Sequence, residues 1–225
     1  MRKVIVSAFV SVDGVMQAPG GPDEDIAGGF EFGGWTFHYW DAEMGKIMGD
    51  HLSASYDLLL GRYTYDIFAA HWPYAGDDDP IGQKFNSVTK YVATSDPDSL
   101  SWQNSVALDG DIIDAIRTLK AGNGPDLLTQ GSSKLVQGLI ANDLVDEYRL
   151  WVMPAILGKG KRLFGNDGAP TNLTLVSSQA FSTGVCLNIL RPDGAVKCGS
   201  FAHHAPSDAE RERQRKMRIA EGLAR

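Results

Sequence analysis

The feature that most constrains this chain is a repeated junction, in which a short apolar run stops at a glycine and gives way to helical spacing. It occurs at residues 56–60, where Gly61 precedes a helix over 63–70 with Arg62 and Thr64 near its start. It recurs at 126–129, where the turn Gly131-Ser132-Ser133 precedes a helix over 134–141 that begins with Lys134. Short apolar runs without alternation suit strands buried on both faces, and such strands lie parallel, joined by helical crossovers. The β-branched run 4–10, ended by Asp13-Gly14, and the run 90–94, ended by Ser95-Asp96-Pro97, extend the same sheet. The spacing also predicts an amphipathic helix over 41–52, from Met44, Ile47, Met48 and Leu52. A further helix is predicted over 111–120, capped by Asp109 and stopped by the glycines of 121–125. After a strand over 145–152, residues 173–182 and 185–190 read as an antiparallel pair turning at Thr183-Gly184. The expected fold is therefore α/β, a mostly parallel mixed sheet flanked by helices, with an antiparallel C-terminal strand pair. Residues 17–36 are crowded with Gly and Pro; a loop that long in a compact domain usually serves function.

Charge narrows the partners. The net charge is −7, and the last 19 residues carry +2 of their own, so the body is more acidic still. A nucleic-acid surface working through a general positive field is excluded, and an anionic ligand needs local basic groups. No run reaches the length of a membrane span. The opening MRKVIVSAFV mimics a short signal peptide but stops at Asp13 with no cleavage pattern, so a cytoplasmic protein is expected. Cys186 and Cys198 form no disulfide framework, and the adjacent His203 and His204 lack partners for a metal. The tail opens with Ser207-x-x-Glu210, a capping-box signal for a terminal helix.

The usual dinucleotide, P-loop, zinc-protease and serine-hydrolase motifs are absent. What remains is the pair of junctions. Each offers a glycine for close backbone approach, helix-start N–H groups, hydroxyls (Thr64; Ser132, Ser133) and a cation (Arg62; Lys134). Thr94 and Ser95 add hydroxyls at a third strand end. Three such sites beyond the carboxyl ends of strands favour a nucleotide polyphosphate.

The ordered segments VSVDGVMQAPG, GGWTFHYWDAEMG, LLLGRYTYDIF, KYVATS, LLTQGSSKLVQGLI and VDEYRLWVMPAILGKGKRLF resemble the dihydrofolate reductase-like family, in the branch of the RibD C-terminal domain of riboflavin biosynthesis. The resemblance covers residues 1–191 and leaves 192–225 as a charged extension, helical from about 207. It implies an NADPH-dependent reductase acting on a pterin- or pyrimidine-like heterocycle, and it suggests a homodimer. The resemblance places Gly61, Arg62 and Thr64 on cofactor phosphate, Thr94 and Ser95 on the 2′-phosphate, and Gly131, Ser132, Ser133 and Lys134 on the pyrophosphate. Gly-Ser-Ser-Lys replaces the family's three glycines and arginine there. Asp41 falls where folate reductases hold their substrate-orienting carboxylate, and Asp13 and Trp40 fall at the substrate end; Trp35, Phe37 and Tyr39 join Trp40 in one aromatic cluster. The alternatives are the riboflavin-pathway step, reduction of a phosphoribosylamino-uracil, or a non-catalytic nucleotide-binding or assembly module. The former needs a second basic cluster, which Lys159, Lys161 and Arg162 offer. The loop 17–36 is expected to act as a lid.

Overall fold

The central strand β1 (Val4–Ser11) shows why this sheet is buried on both faces. Val4, Val6, Ala8 and Val10 pack into one apolar layer, while Ile5 and Phe9 pack into the other. The computed structural model describes residues 1–76, 78–165 and 168–223. It divides into two compact units, Met1–Ala195 and Val196–Arg225. The boundary expected at 191/192 falls inside the last strand, which ends at Pro192.

In chain order the first unit contains β1, α1 (Ala42–Ser53), β2 (Tyr56–Gly61), α2 (Arg62–His71), α3 (Pro80–Ser87), β3 (Lys90–Ala93) and β4 (Ser105–Ala107). It continues with α4 (Ile112–Ala121), β5 (Asp126–Thr129), α5 (Ser133–Ala141), β6 (Glu147–Met153), β7 (Leu173–Ala180) and β8 (Cys186–Pro192). One sheet has the order β4-β3-β2-β5-β1-β6-β8-β7. The pairs from β4 through β6 are parallel, and β6–β8 and β7–β8 are antiparallel. This is the mixed sheet expected from the sequence. Residues of α4 and α5 cover one face with Val136, Leu139 and Ile116 at its centre. Residues of α1, α2 and α3 cover the other through Met44, Met48, Tyr65 and Phe85. Each fully buried side chain of this size contributes roughly 1.5–3 kcal/mol.

Several boundaries differ from expectation. The cap of α4 is Asp111, whose Oδ1 accepts from the amides of Ile113 and Asp114 at 2.9 and 3.1 Å. Asp109 instead accepts the amide of Gly110, which turns with φ +68°. The strand expected from 145 begins at Glu147, because Val145 is already buried in the turn leaving α5. Neither α3 nor β4 was expected. The first reads PIGQKFNS, with a glycine and few apolar positions, and the second is three residues long. The loop 17–36 holds a single 3-10 turn at Ala27–Gly29. The second unit contains α6 (Asp208–Ala220), capped by Ser207 as its capping-box signal predicts.

Candidate functional site

Register brings the phosphate-type turns together. Leu58 lies beside Leu128 across β2 and β5, so three residues further on Gly61 and Gly131 are neighbours. Gly61 also pairs with Ala93 of β3, which places Thr94 beside the start of α2. The Gly61 amide donates to the Gly131 carbonyl at 3.3 Å. Contact here is so close that a Cβ on Gly61 would lie 3.0 Å from the Ser132 amide nitrogen and closer still to its hydroxyl. A Cβ on Gly131, at φ +147°, would come within 2.6 Å of Thr64 Oγ1. The Gly131–Ser132 peptide is cis, and Thr129 Oγ1 donates to the Gly131 carbonyl at 3.0 Å.

The helix starts at this meeting point differ from the others. Asp41, Asp79 and Asp111 accept amide hydrogens at the starts of α1, α3 and α4. Gly61 and Ser132, at the starts of α2 and α5, give no side-chain cap. The first-turn amides of these two helices are therefore available to an anion, which the helix dipoles also favour. Lys134 is exposed, and no carboxylate among the described residues pairs with it. Ser132, Ser133 and Thr64 are half-buried around it. Arg62 donates Nε to both oxygens of Asp66 at 2.8 and 3.0 Å. Its Nη1 donates to Thr94 Oγ1 at 3.3 Å and to the Ser99 hydroxyl. Ser95 is exposed beside Thr94. The two glycines, Arg62, Thr64 and residues 131–134 thus form one patch at the carboxyl edge of β2 and β5, with Thr94 and Ser95 on its β3 side.

The substrate-end candidates are less alike. Asp41 caps α1, accepting the Met44 amide at 2.8 Å and the Ser182 hydroxyl at 3.0 Å. Trp40, 44% exposed, stands edge-on to Phe9 with ring centroids 5.9 Å apart and lies over the buried Trp151. The expected aromatic cluster is split: Trp35 packs against the loop's own apolar residues and, with Tyr39, against the α1 layer, while Phe37 is exposed. Asp13 accepts from Ser11 Oγ at 2.7 Å and from the amides of Leu157 and Gly158 at 3.1 and 2.9 Å. The Ser11 hydroxyl, then those amides, hold its carboxyl down at about 2. Every cation of the sequence GKGKR meets an acid: Lys159 with Glu31, Lys161 with Asp25, and Arg162 with Asp13.

Sequence reasoning missed Ser99, Tyr63, Asp25 and Gln17. A serine six residues beyond the end of a strand carries no local signal, and an acid in an acidic loop reads as solvated. Among the described residues no three His, Cys, Asp or Glu side chains cluster as a metal would require. No helix among them is long and apolar enough to cross a membrane.

The comparisons agree with this architecture. YyaP of Bacillus subtilis (strain 168), an uncharacterized protein, is 28% identical over 187 residues, covering 82% of this chain and 92% of that one. A solved structure of a protein ascribed to riboflavin biosynthesis, from Shewanella sp. PV-4, superposes with a TM-score of 0.58 at 19% identity, covering 85% of this chain and 99% of the other. Dihydrofolate reductase from Enterococcus faecalis, complexed with NADP(H), gives 0.54 at 12% identity, covering 85% and 96%. At those identities the two structures speak for the fold. The model of the RibD C-terminal domain matches residues 2–187, most of the first compact unit. The chain belongs to the RibD C-terminal domain family.

Proposed function

We propose that this protein is an NADPH-dependent reductase that delivers hydride to a flat, pterin- or pyrimidine-like heterocycle. The observation that carries the reading is the meeting of two helix N-termini without side-chain caps, at Gly61 and at Gly131-Ser132, with Arg62 and Lys134 beside them. Helix-start amides without a side-chain cap, the hydroxyls of Thr64, Ser132 and Ser133, and a Lys134 ammonium that meets no carboxylate among the described residues suit a dinucleotide. Gly61, Thr64 and residues 131–134 would hold its pyrophosphate, and Arg62, Thr94 and Ser95 its 2′-phosphate. When bound, the cofactor supplies the hydride; the chain supplies placement and electrostatics.

At the substrate end, the exposed face of Trp40 is available for stacking on a heterocycle. Asp41, the next residue, would orient the ring and carry a proton to it from its place at the start of α1. Asp13 serves the turn that leaves β1, its carboxylate being occupied by Ser11, Leu157 and Gly158. The cations that a phosphoribosyl substrate would need, Lys159, Lys161 and Arg162, are each held on a carboxylate.

Thermal unfolding with NADPH or NADH tests the reading. NADPH at about 100 times its Kd adds roughly 2.7 kcal/mol of stability, with a smaller shift for NADH at equal concentration. No shift with either nucleotide would overturn it. Substrate-dependent NADPH oxidation, against binding without turnover, separates the enzyme from a non-catalytic module.

A further inference from the structure

The loop 17–36 is packed as a small body of its own. Gln17 Nε2 donates to the carbonyls of Asp25 and Ala27 at 3.0 and 2.9 Å. Trp35 Nε1 donates to the Gln17 carbonyl at 2.8 Å, and Thr36 Oγ1 to that of Pro19 at 2.7 Å. Ala18 and Phe30 are buried with Val15 beneath it. One end of this body is fixed to the segment after β6, where the Lys161 amide donates to Gln17 Oε1 at 2.9 Å.

Lys159 Nζ adds a second tie to that segment, donating to the Gly29 carbonyl at 2.9 Å and to Glu31 at 3.2 Å, whereas the attachment toward α2 runs through one carboxylate. Asp25 is only 6% exposed although it lies in a loop. Its Oδ2 accepts from Lys161 Nζ at 2.6 Å, and its Oδ1 from the Tyr63 hydroxyl at 3.0 Å and the Ala27 amide at 3.1 Å. The Lys161 ammonium also sits over the Tyr63 ring, 4.1 Å from its centroid. Burial opposes ionisation of Asp25, but the Lys161, Ala27 and Tyr63 donors outweigh it and lower its pKa. Tyr63 is the second residue of α2, between Arg62 and Thr64. Among the described residues its hydroxyl makes the hydrogen bond that joins the loop to that helix. In the sheet β5 lies between β1 and β2, so a link from the loop after β1 to the start of α2 spans the end of β5, where Gly131 turns.

We propose that Tyr63 and Asp25 form a latch that ties closure of the loop 17–36 to occupancy of the phosphate-binding turn. Tyr63 is a positioning residue: an anion held by the amides of residues 62–64 fixes the first turn of α2, and with it the hydroxyl that holds Asp25. The loop then stays shut while the cofactor is present. The latch contact stands by itself; its coupling to a ligand rests on the reading of 61–64 as a phosphate site.

Cleavage by a glutamate-specific protease reports the loop directly, because Glu24 and Glu31 lie within it. In the full-length protein, NADPH should slow cleavage there. Tyr63→Phe keeps the ring under Lys161 and removes the donor. A hydrogen bond to a charged group makes this variant's loop about tenfold faster to cut without ligand. NADPH should still raise its melting temperature yet no longer protect the loop. Asp25→Asn serves as an independent second variant and should also be cut faster. Wild-type cleavage rates in both variants, or full NADPH protection in Tyr63→Phe, would overturn the latch. Absence of any NADPH melting shift in the wild type would overturn the phosphate-site reading instead, while the ligand-free rates still decide the latch.

Discussion

Asp41 caps α1 and, on the proposed function, also carries the proton to the substrate; one substitution separates the two. Its Oδ1 caps α1 at the Met44 amide, and asparagine caps as well as aspartate does. Asp41→Asn should therefore melt close to the wild type while losing about 10²-fold or more in kcat, since the proton is gone. A comparable kcat in the variant would leave Asp41 a cap and nothing more. Gly61 is a steric case: its φ of −73° suits any residue, so the cost of Gly61→Ala comes wholly from Ser132 in its path. The variant should lose about 1–3 kcal/mol in denaturant unfolding and lose NADPH binding with it. Lys90 is fully buried, its ammonium donating to the carbonyls of Phe85 and Asn86 at 2.9 and 3.2 Å beneath the Trp102 ring. Burial pushes its pKa from 10.5 to about 8. Between these values the unfolded chain binds a proton the folded chain releases, so stability rises with pH from about 8 and this gain is absent below it. Denaturant midpoints across that window should show the rise, and Lys90→Met should flatten it. No residue-level signal in the sequence marks Lys90 or Asp25, because both owe their state to distant elements folding over them.

At the scale of elements, capping separates structure from function. Helices α1, α3 and α4 begin on aspartates that accept their first amides, whereas α2 and α5 do not. Ser132→Asp should supply the missing cap to α5, stabilising the ligand-free protein by about 0.5–1 kcal/mol, and place a negative charge where the proposed cofactor's phosphate would lie. Such opposed changes in melting and in nucleotide affinity would not follow if this helix start were an ordinary turn. The junctions that carry the candidate site were legible as strand–turn–helix elements because each couples an apolar run to a glycine and then to helical spacing. The same reasoning lost α3 and β4. Helix α3 owes its stability to Phe85 packed on Phe68 and Trp72 rather than to its own pattern, and β4 exists through pairing with β3. Asp109 was read as a cap in place of Asp111 because two aspartates precede the apolar spacing, and only the Gly110 turn decides between them.

Across the whole molecule, an acidic chain sets most of its arginines and several of its lysines against carboxylates. The basic side chains after β6 are matched to Asp13, Asp25 and Glu31, and those of α6 pair largely with acids one turn earlier. Lys134, exposed and without a carboxylate partner among the described residues, stands at the uncapped start of α5, where the proposed reading puts an anion. Net charge disfavoured a general anion-binding surface, and register brings Arg62, Lys134 and the two uncapped helix starts together at the ends of β2, β3 and β5. The substrate's own identity was not legible, because Trp40 and Asp41, as proposed, would fit a flat, polar-edged ligand without naming it. Equilibrium titration of NADPH into the wild type and Ser132→Asp tests the central claim most directly. Saturable binding to the wild type, weakened at least 100-fold in a variant that melts no lower, is the predicted result. Equal affinity in the two proteins, or no saturable binding to the wild type, would contradict it.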